Sequence, residues 1–203
     1  MKLFIALWPD ETVRAALSAD LQTLARAAGG RATASANLHL TVAFIGQVDD
    51  RRFDDIAGLL AATRPAPFTV VLDRLDAFVS QRVLFRAPLR CPPALLDAQQ
   101  ALVAGLAAAA VPVDRRPFRP HVTLARRCDR AALAAGLEAG QAVVTQPSRP
   151  RNSSRPPRPA ASDHPLRKAA AAARPLTWHA PGWALVESRS SPDGVVYHPH
   201  VIL

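Results

Sequence analysis

Two stretches of the 203-residue chain carry the same chemistry at the same spacing. His39-Leu40-Thr41-Val42 and His121-Val122-Thr123-Leu124 each set a histidine two residues before a threonine, inside a short apolar run that predicts a strand. Side chains alternate between faces along a strand, so His39 and Thr41 share one face, with Leu40, Val42 and Phe44 on the other. His121 and Thr123 likewise share a face, with Val122 and Leu124 behind it. Two residues of rise put each histidine roughly 6.5 Å from its threonine along the strand, so both can touch one phosphate-sized group. Two imidazoles and two hydroxyls together supply an acid, a base and two neutral hydrogen-bonding groups. Histidine suits both proton-transfer roles because its reference pKa of about 6.5 lies near working pH. The set contains no metal cage and no obvious nucleophile.

The flanking sequence predicts the elements that must position these residues. Leu3 to Trp8 reads as a buried first strand. Asp10 caps a helix to about Ala28, ended by Gly29-Gly30, and the first His-x-Thr strand runs from about Leu38 to Ile45. Asp49 or Asp50 caps a second helix carrying Phe53, Ile56 and Leu60. Strand-like segments follow at Phe68–Leu72, Arg74–Val79 and Arg82–Ala87, the first two readable as one bent strand. Pro92-Pro93 opens a helix to about Ala110, the second His-x-Thr strand comes next, and Asp129 caps a short helix. Trp183–Arg189 and Val195–His198 form a closing hairpin around Ser191-Pro192-Asp193-Gly194. The order repeats: 35 residues separate Phe4 from His39, and 36 separate Phe85 from His121. This spacing predicts an internal duplication, with halves of roughly 1–80 and 81–203 inside a single domain. A pseudo-twofold would bring the two motifs face to face.

Composition narrows the setting. The two cysteines, Cys91 and Cys128, form neither a disulfide framework nor a zinc pattern, which fits a reducing cytoplasm. The apolar opening is cut by Pro9-Asp10-Glu11, too soon for a signal segment or a membrane span. The net charge of +9 is concentrated between residues 146 and 174, where seven basic residues face Asp163 alone. That Pro/Arg/Ala-rich stretch has few large apolar residues and predicts a disordered insertion with no more than a short helical turn at the Ala169–Ala173 run, the fold resuming near Pro175. Its charge suits non-specific contact with a nucleic-acid backbone, and its composition suits a solvated linker.

The two motifs in their extended contexts, His39-Leu40-Thr41-Val42-Ala43-Phe44-Ile45-Gly46 and Phe118-Arg119-Pro120-His121-Val122-Thr123-Leu124-Ala125-Arg126, together with Arg82-Val83-Leu84-Phe85 and Trp183-Ala184-Leu185-Val186-Glu187-Ser188, resemble the 2H phosphoesterases. Within that superfamily the chain is most similar to the bacterial RNA 2',3'-cyclic phosphodiesterases of the LigT type, long called 2'-5' RNA ligases. The resemblance covers nearly the whole chain except residues 146–174. It implies an α+β fold of two pseudo-symmetric lobes, each an antiparallel sheet with outer helices, and an active-site cleft between the sheets. It implies metal-independent hydrolysis of terminal 2',3'-cyclic phosphates to 2'-phosphates without a cofactor, and an RNA or oligonucleotide partner for a monomeric protein away from membranes. By resemblance, His39 gives a proton to the leaving 3' oxygen and His121 takes one from water. Thr41 and Thr123 bind non-bridging phosphate oxygens, and Arg126 contacts the phosphate or a neighbouring nucleotide. Taken singly, each histidine fits a sheet interior, each threonine fits ordinary strand preference, and Arg126 fits a solvated charge equally well. Two other functions use the same cleft: 2'-5' RNA ligation, and non-catalytic binding of RNA or nucleotides.

Overall fold

The computed structural model describes residues 1–114, 116–137, 163–192 and 194–202. Residues 146–162 of the expected insertion lie outside the described residues. Strand β1 (Lys2–Leu7) leads into α1 (Glu11–Ala19), capped by the Asp10 carboxylate, which accepts from the Val13 N–H at 2.8 Å. The helical pattern expected to run on to Ala28 breaks at Asp20, and α2 (Leu21–Ala27) starts afresh. Asp20 accepts a hydrogen bond from Arg86 Nη2 at 2.9 Å, and the Arg86 side chain also donates to the Arg174 carbonyl at 2.8 Å. Arg86 is only 5% exposed, and a buried guanidinium demands such partners.

The short β2 (Arg31–Ala32) precedes β3 (Leu40–Gln47), the first motif strand, and α3 (Phe53–Ala62). Then come β4 (Phe68–Leu72), β5 (Arg74–Phe78) and β6 (Val83–Ala87). β4 and β5 are separate strands in different sheets, parted at Asp73, whose carboxylate accepts from the Leu89 N–H at 2.6 Å. Helix α4 (Pro93–Ala108) carries its proline in the first turn, where no amide partner is lost. It leads to β7 (Val122–Arg126), the second motif strand, and to α5 (Arg130–Gly136), capped by Asp129. α6 (Pro165–Ala172), β8 (Leu176–Ala180), β9 (Ala184–Ser191) and β10 (Gly194–Ile202) complete the chain.

The main sheet has the order β10-β9-β1-β3-β7-β6-β5, with β2 beside β7, and β4 pairs with β8 in a second sheet. Every described pairing is antiparallel. One face of the main sheet packs Leu3, Ile5, Leu40, Val122 and Leu124 against apolar faces of the helices, including Leu17, Leu24, Leu102 and Leu106. The other face carries two small apolar patches, one around Phe4, Ala184 and Val186, the other around Val83, Phe85 and Ala87. The expected antiparallel sheets with outer helices are present. The two half-sheets join edge to edge through one described pair, Leu40 with Val122, and the cleft lies over that seam.

Three sequence expectations require correction. The halves do not divide near residue 80: β5 completes the second half-sheet, whereas the C-terminal strands β9 and β10 complete the first beside β1. The fold resumes well before Pro175. In α6, Leu166 is fully buried in the main core, and the helix packs on α2 and α5. The alanine run marked a helical turn, but composition hid the length and burial of the helix, because one leucine and several alanines suffice to seal it. Finally, Phe44 does not stand behind Thr41. Ala6 pairs with Thr41 and Ile5 with Ala43, so a bulge at Val42 takes up one residue and reverses the alternation after it. Phe44 emerges 39% exposed on the cleft face.

Candidate active site

The seam fixes the four motif side chains. With Leu40 opposite Val122 in an antiparallel pair, His39 is set against Thr123, and Thr41 against His121. The cavities follow that pattern. One, of about 750 Å³, is lined by His39, Thr123 and Arg126; the other, of about 500 Å³, by Thr41, Phe44 and His121. The structure thus brings together all five residues singled out from the sequence.

Arg126 reaches the cleft by the same device that turns Phe44 there. Phe85 pairs with Thr123 and Leu84 with Ala125, so Leu124 is bulged, as Val42 is in the other motif. Simple alternation would put Arg126, three residues after Thr123, on the core face; the bulge returns it to the threonine's face. Phe44 and Arg126 are therefore structural counterparts, one aromatic and one cationic. A close glycine contact holds the end of β7 in place. A Cβ on Gly30 would lie 2.5 Å from Cys128 Sγ and 3.1 Å from the Arg126 carbonyl oxygen, so only glycine lets the chain pass there.

Both imidazoles are held in the same way. His39 Nδ1 lies 2.7 Å from the Asn37 carbonyl oxygen, and His121 Nδ1 lies 2.7 Å from the Arg119 carbonyl oxygen. A carbonyl only accepts, so each Nδ1 carries the proton and donates, and each neutral ring offers Nε2 as its basic atom. His39 Nε2 is 3.0 Å from Thr41 Oγ1, whose hydroxyl donates to it when the ring is neutral. No hydrogen bond to His121 Nε2 is found among the described residues. Aromatic rings fix both imidazoles laterally. His39 lies 4.9 Å from the Phe4 ring and 5.0 Å from Tyr197, and stacks on Trp8 at 5.9 Å. His121 lies 5.0 Å from Phe85 and 5.2 Å from Phe78. The duplicated pair Phe4 and Phe85 thus plays one role twice.

Burial pushes the His39 pKa down to about 4, opposed by the Asn37 carbonyl and reinforced by the charges of Arg126 and His121. His121 is shifted downward too, chiefly by burial, with Arg126 adding to it and the Arg119 carbonyl opposing. Three of the remaining described histidines are occupied elsewhere. His164 caps α6, His179 bonds Thr69 Oγ1 at 2.9 Å, and His200 bonds Glu187 at 2.9 Å. Burial raises the thiol pKa of Cys91 and of Cys128, which makes both poor nucleophiles.

Sequence reading did not reveal Tyr197, which reaches His39 from the edge strand β10, or the two carbonyls that fix the tautomers. A carbonyl has no sequence identity to detect. The matching distance from Phe4 and Phe85 to their histidines was a usable signal for the ring contacts.

The model of the 2'-5' RNA ligase superfamily matches residues 9–150. The chain belongs to that superfamily. Among curated relatives, the RNA 2',3'-cyclic phosphodiesterase of Thermus thermophilus is 34% identical over 138 residues, covering 63% of this chain and 69% of the relative. The Escherichia coli protein of the same name is 32% identical over 102 residues, covering 50% of this chain and 58% of the relative. A structure of Escherichia coli LigT with 3'-AMP superposes with a TM-score of 0.69 at 22% identity, covering 98% of this chain and 95% of LigT. A structure from Thermus thermophilus gives 0.66 at 26% identity, covering 99% of this chain and 96% of its own. Among the described residues no helix is long and apolar enough to cross a membrane.

Proposed function

We propose that this protein hydrolyses the 2',3'-cyclic phosphate at the end of an RNA, leaving a 2'-phosphate, with His39 and His121 as its proton-transfer pair. The observation that carries the reading is the matched pair of rings: each is held at Nδ1 by a backbone carbonyl two residues earlier, leaving Nε2 for the cleft. The names of the curated relatives support its reaction class.

A cyclic phosphodiester needs one proton removed from water and one delivered to the leaving oxygen. His121 Nε2, free of hydrogen bonds from other described residues, takes the proton from water as its oxygen bonds to phosphorus. The bond from phosphorus to O3' breaks, and His39 Nε2, which the negative charge of the bound phosphate helps to protonate against the burial that lowers its pKa in the free protein, supplies the proton that O3' takes up. The Thr41 hydroxyl, 3.0 Å from that nitrogen, keeps the ring aimed into the cleft until substrate arrives. As negative charge builds on the non-bridging oxygens, the Thr41 and Thr123 hydroxyls donate to them and the Arg126 guanidinium balances the charge. Solvent exchange afterwards deprotonates His121 and reprotonates His39.

The test is an RNA oligomer ending in a 2',3'-cyclic phosphate, incubated with EDTA present and mapped for its product end. Wild type is expected to give 2'-phosphate ends. His39→Ala and His121→Ala are each expected to lose roughly 10²–10⁴-fold in kcat, the usual contribution of one general acid or base. Equal turnover by all three proteins would remove the histidines from the mechanism. Joined RNA in place of 2'-phosphate ends would make the protein a ligase.

A further inference from the structure

Beside His121, on the side away from His39, lies a third cavity of about 410 Å³ that the chemistry above does not use. It adjoins the cavity of His121, with Phe78, Phe118 and Arg119 lining both. Its floor is the cleft face of β5 and β6, where Asp76 stands across from Phe85, and Arg74 from Ala87. Its walls are aromatic: Phe78 and Phe85 are 4.4 Å apart, and both touch the His121 ring. Arg74 and Asp76 are both partly buried, and their closest approach, Nη2 to Oδ2, is 3.6 Å, longer than a good hydrogen bond. Arg74 Nε is buried with no hydrogen-bond partner. Asp76 Oδ1 accepts from the Ala77 N–H at 2.7 Å, which fixes the carboxylate while leaving lone pairs on both oxygens.

The cavity therefore presents aromatic walls, a fixed carboxylate and a guanidinium short of acceptors. A phosphate fits it less well than a base does, since it would lie against the Asp76 carboxylate and the aromatic walls although Arg74 and Arg119 also line the cavity. The cavity of His39 suits phosphates better: it presents Arg31, Arg126 and Arg127, with no carboxylate among its described lining residues. What fits the aromatic cavity is a flat, neutral group with adjacent N–H donors and a nearby acceptor. Single-stranded bases are read in this way, by stacking on aromatic rings and by hydrogen bonds to their edges. Guanine matches best among the four bases, because its N1–H and N2–H can both donate to one carboxylate while O6 accepts from the guanidinium. We propose that this cavity is a nucleobase subsite selecting guanine at the nucleotide that bears the cyclic phosphate, with Asp76 and Arg74 as its specificity determinants. The proposal rests on the phosphodiesterase reading above.

The test compares kcat/KM of the full chain for the four 2',3'-cyclic mononucleotides. Wild type is expected to favour the guanosine compound by roughly 5- to 100-fold, the range a bidentate base contact provides. Asp76→Ala, and the shape-conserving Asp76→Asn, are expected to bring that preference to within about 2-fold, with a retained cooperative unfolding transition showing that the variants fold. Comparable hydrolysis of all four compounds by wild type would overturn the subsite and leave the phosphodiesterase reading intact. So would a guanosine preference that survives both substitutions. Failure of wild type to hydrolyse any of the four, or the RNA oligomer, would overturn both.

Discussion

At the scale of single residues, the site is governed by how cheaply each imidazole can be charged. Burial and the Arg126 guanidinium both disfavour the imidazolium, so in the free protein His39 titrates near 4 and His121 below its ordinary value. An acid–base pair works where one ring is protonated and the other is not. The bell of kcat/KM against pH is therefore expected to centre below the reference histidine value of about 6.5. Arg126→Met removes a charge that lowers both values, so both limbs should move to higher pH even as kcat falls. A profile that keeps its position in Arg126→Met would show that the guanidinium does not act on the rings. The same depression links to stability. Between about 6.5 and about 4 the unfolded chain binds a proton at His39 that the folded chain refuses, so stability present above that window is lost as pH falls through it. The four motif residues that the structure brings to the seam were legible in the sequence because the motif occurs twice, whereas Arg126 read equally well as a solvated charge, and the tautomers and pKa shifts depend on carbonyls and burial that only the fold creates.

At the scale of elements, local signals proved reliable and distant ones were invisible. Asp10 and Asp129 cap the helices that follow them, and the proline at the start of α4 stands where it costs no hydrogen bond. The break between α1 and α2 could not be read, because the partner of Asp20 is Arg86, 66 residues away. The bulges at Val42 and Leu124 were equally hidden, since an alternating run of apolar residues looks regular whether or not one is skipped in the pairing. Helix α6 was obscured by its composition, and its role can be measured. Leu166→Ala is expected to cost about 2–5 kcal/mol, as other fully buried leucines do. The readout is a lowered denaturant midpoint with unchanged slope, and with turnover per folded molecule retained because α6 does not line the catalytic cavities. A change below about 0.5 kcal/mol, the level of a surface site, would mean that α6 adds nothing to the core.

At the scale of the molecule, the duplication closes through the chain ends. β4, β5, β6, α4 and β7 form one unit; the other runs from β8 and β9 at the end of the sequence to β1, the N-terminal helices and β3 at its start. The pairs β3 with β7 and β4 with β8 then join equivalent strands of the two units, as a twofold requires. The spacing from Phe4 to His39 and from Phe85 to His121 revealed the repeat. It did not reveal the circular order, because nothing in a linear sequence marks its last strands as neighbours of its first. Under the proposed function, a site with two equivalent rings faces a ribose that has no such symmetry. Were the two units identical, a cyclic phosphate could enter either way round, and cleavage would yield both positional isomers of the product. What distinguishes the two orientations at the bulges is that one offers Phe44 and the other Arg126. Exchanging them, Phe44→Arg with Arg126→Phe, is expected to move a measurable share of product from the 2'- to the 3'-phosphate, resolved by chromatography of the nucleotides released. An isomer ratio unmoved by the exchange would place the fidelity of the enzyme in some other departure from its own symmetry.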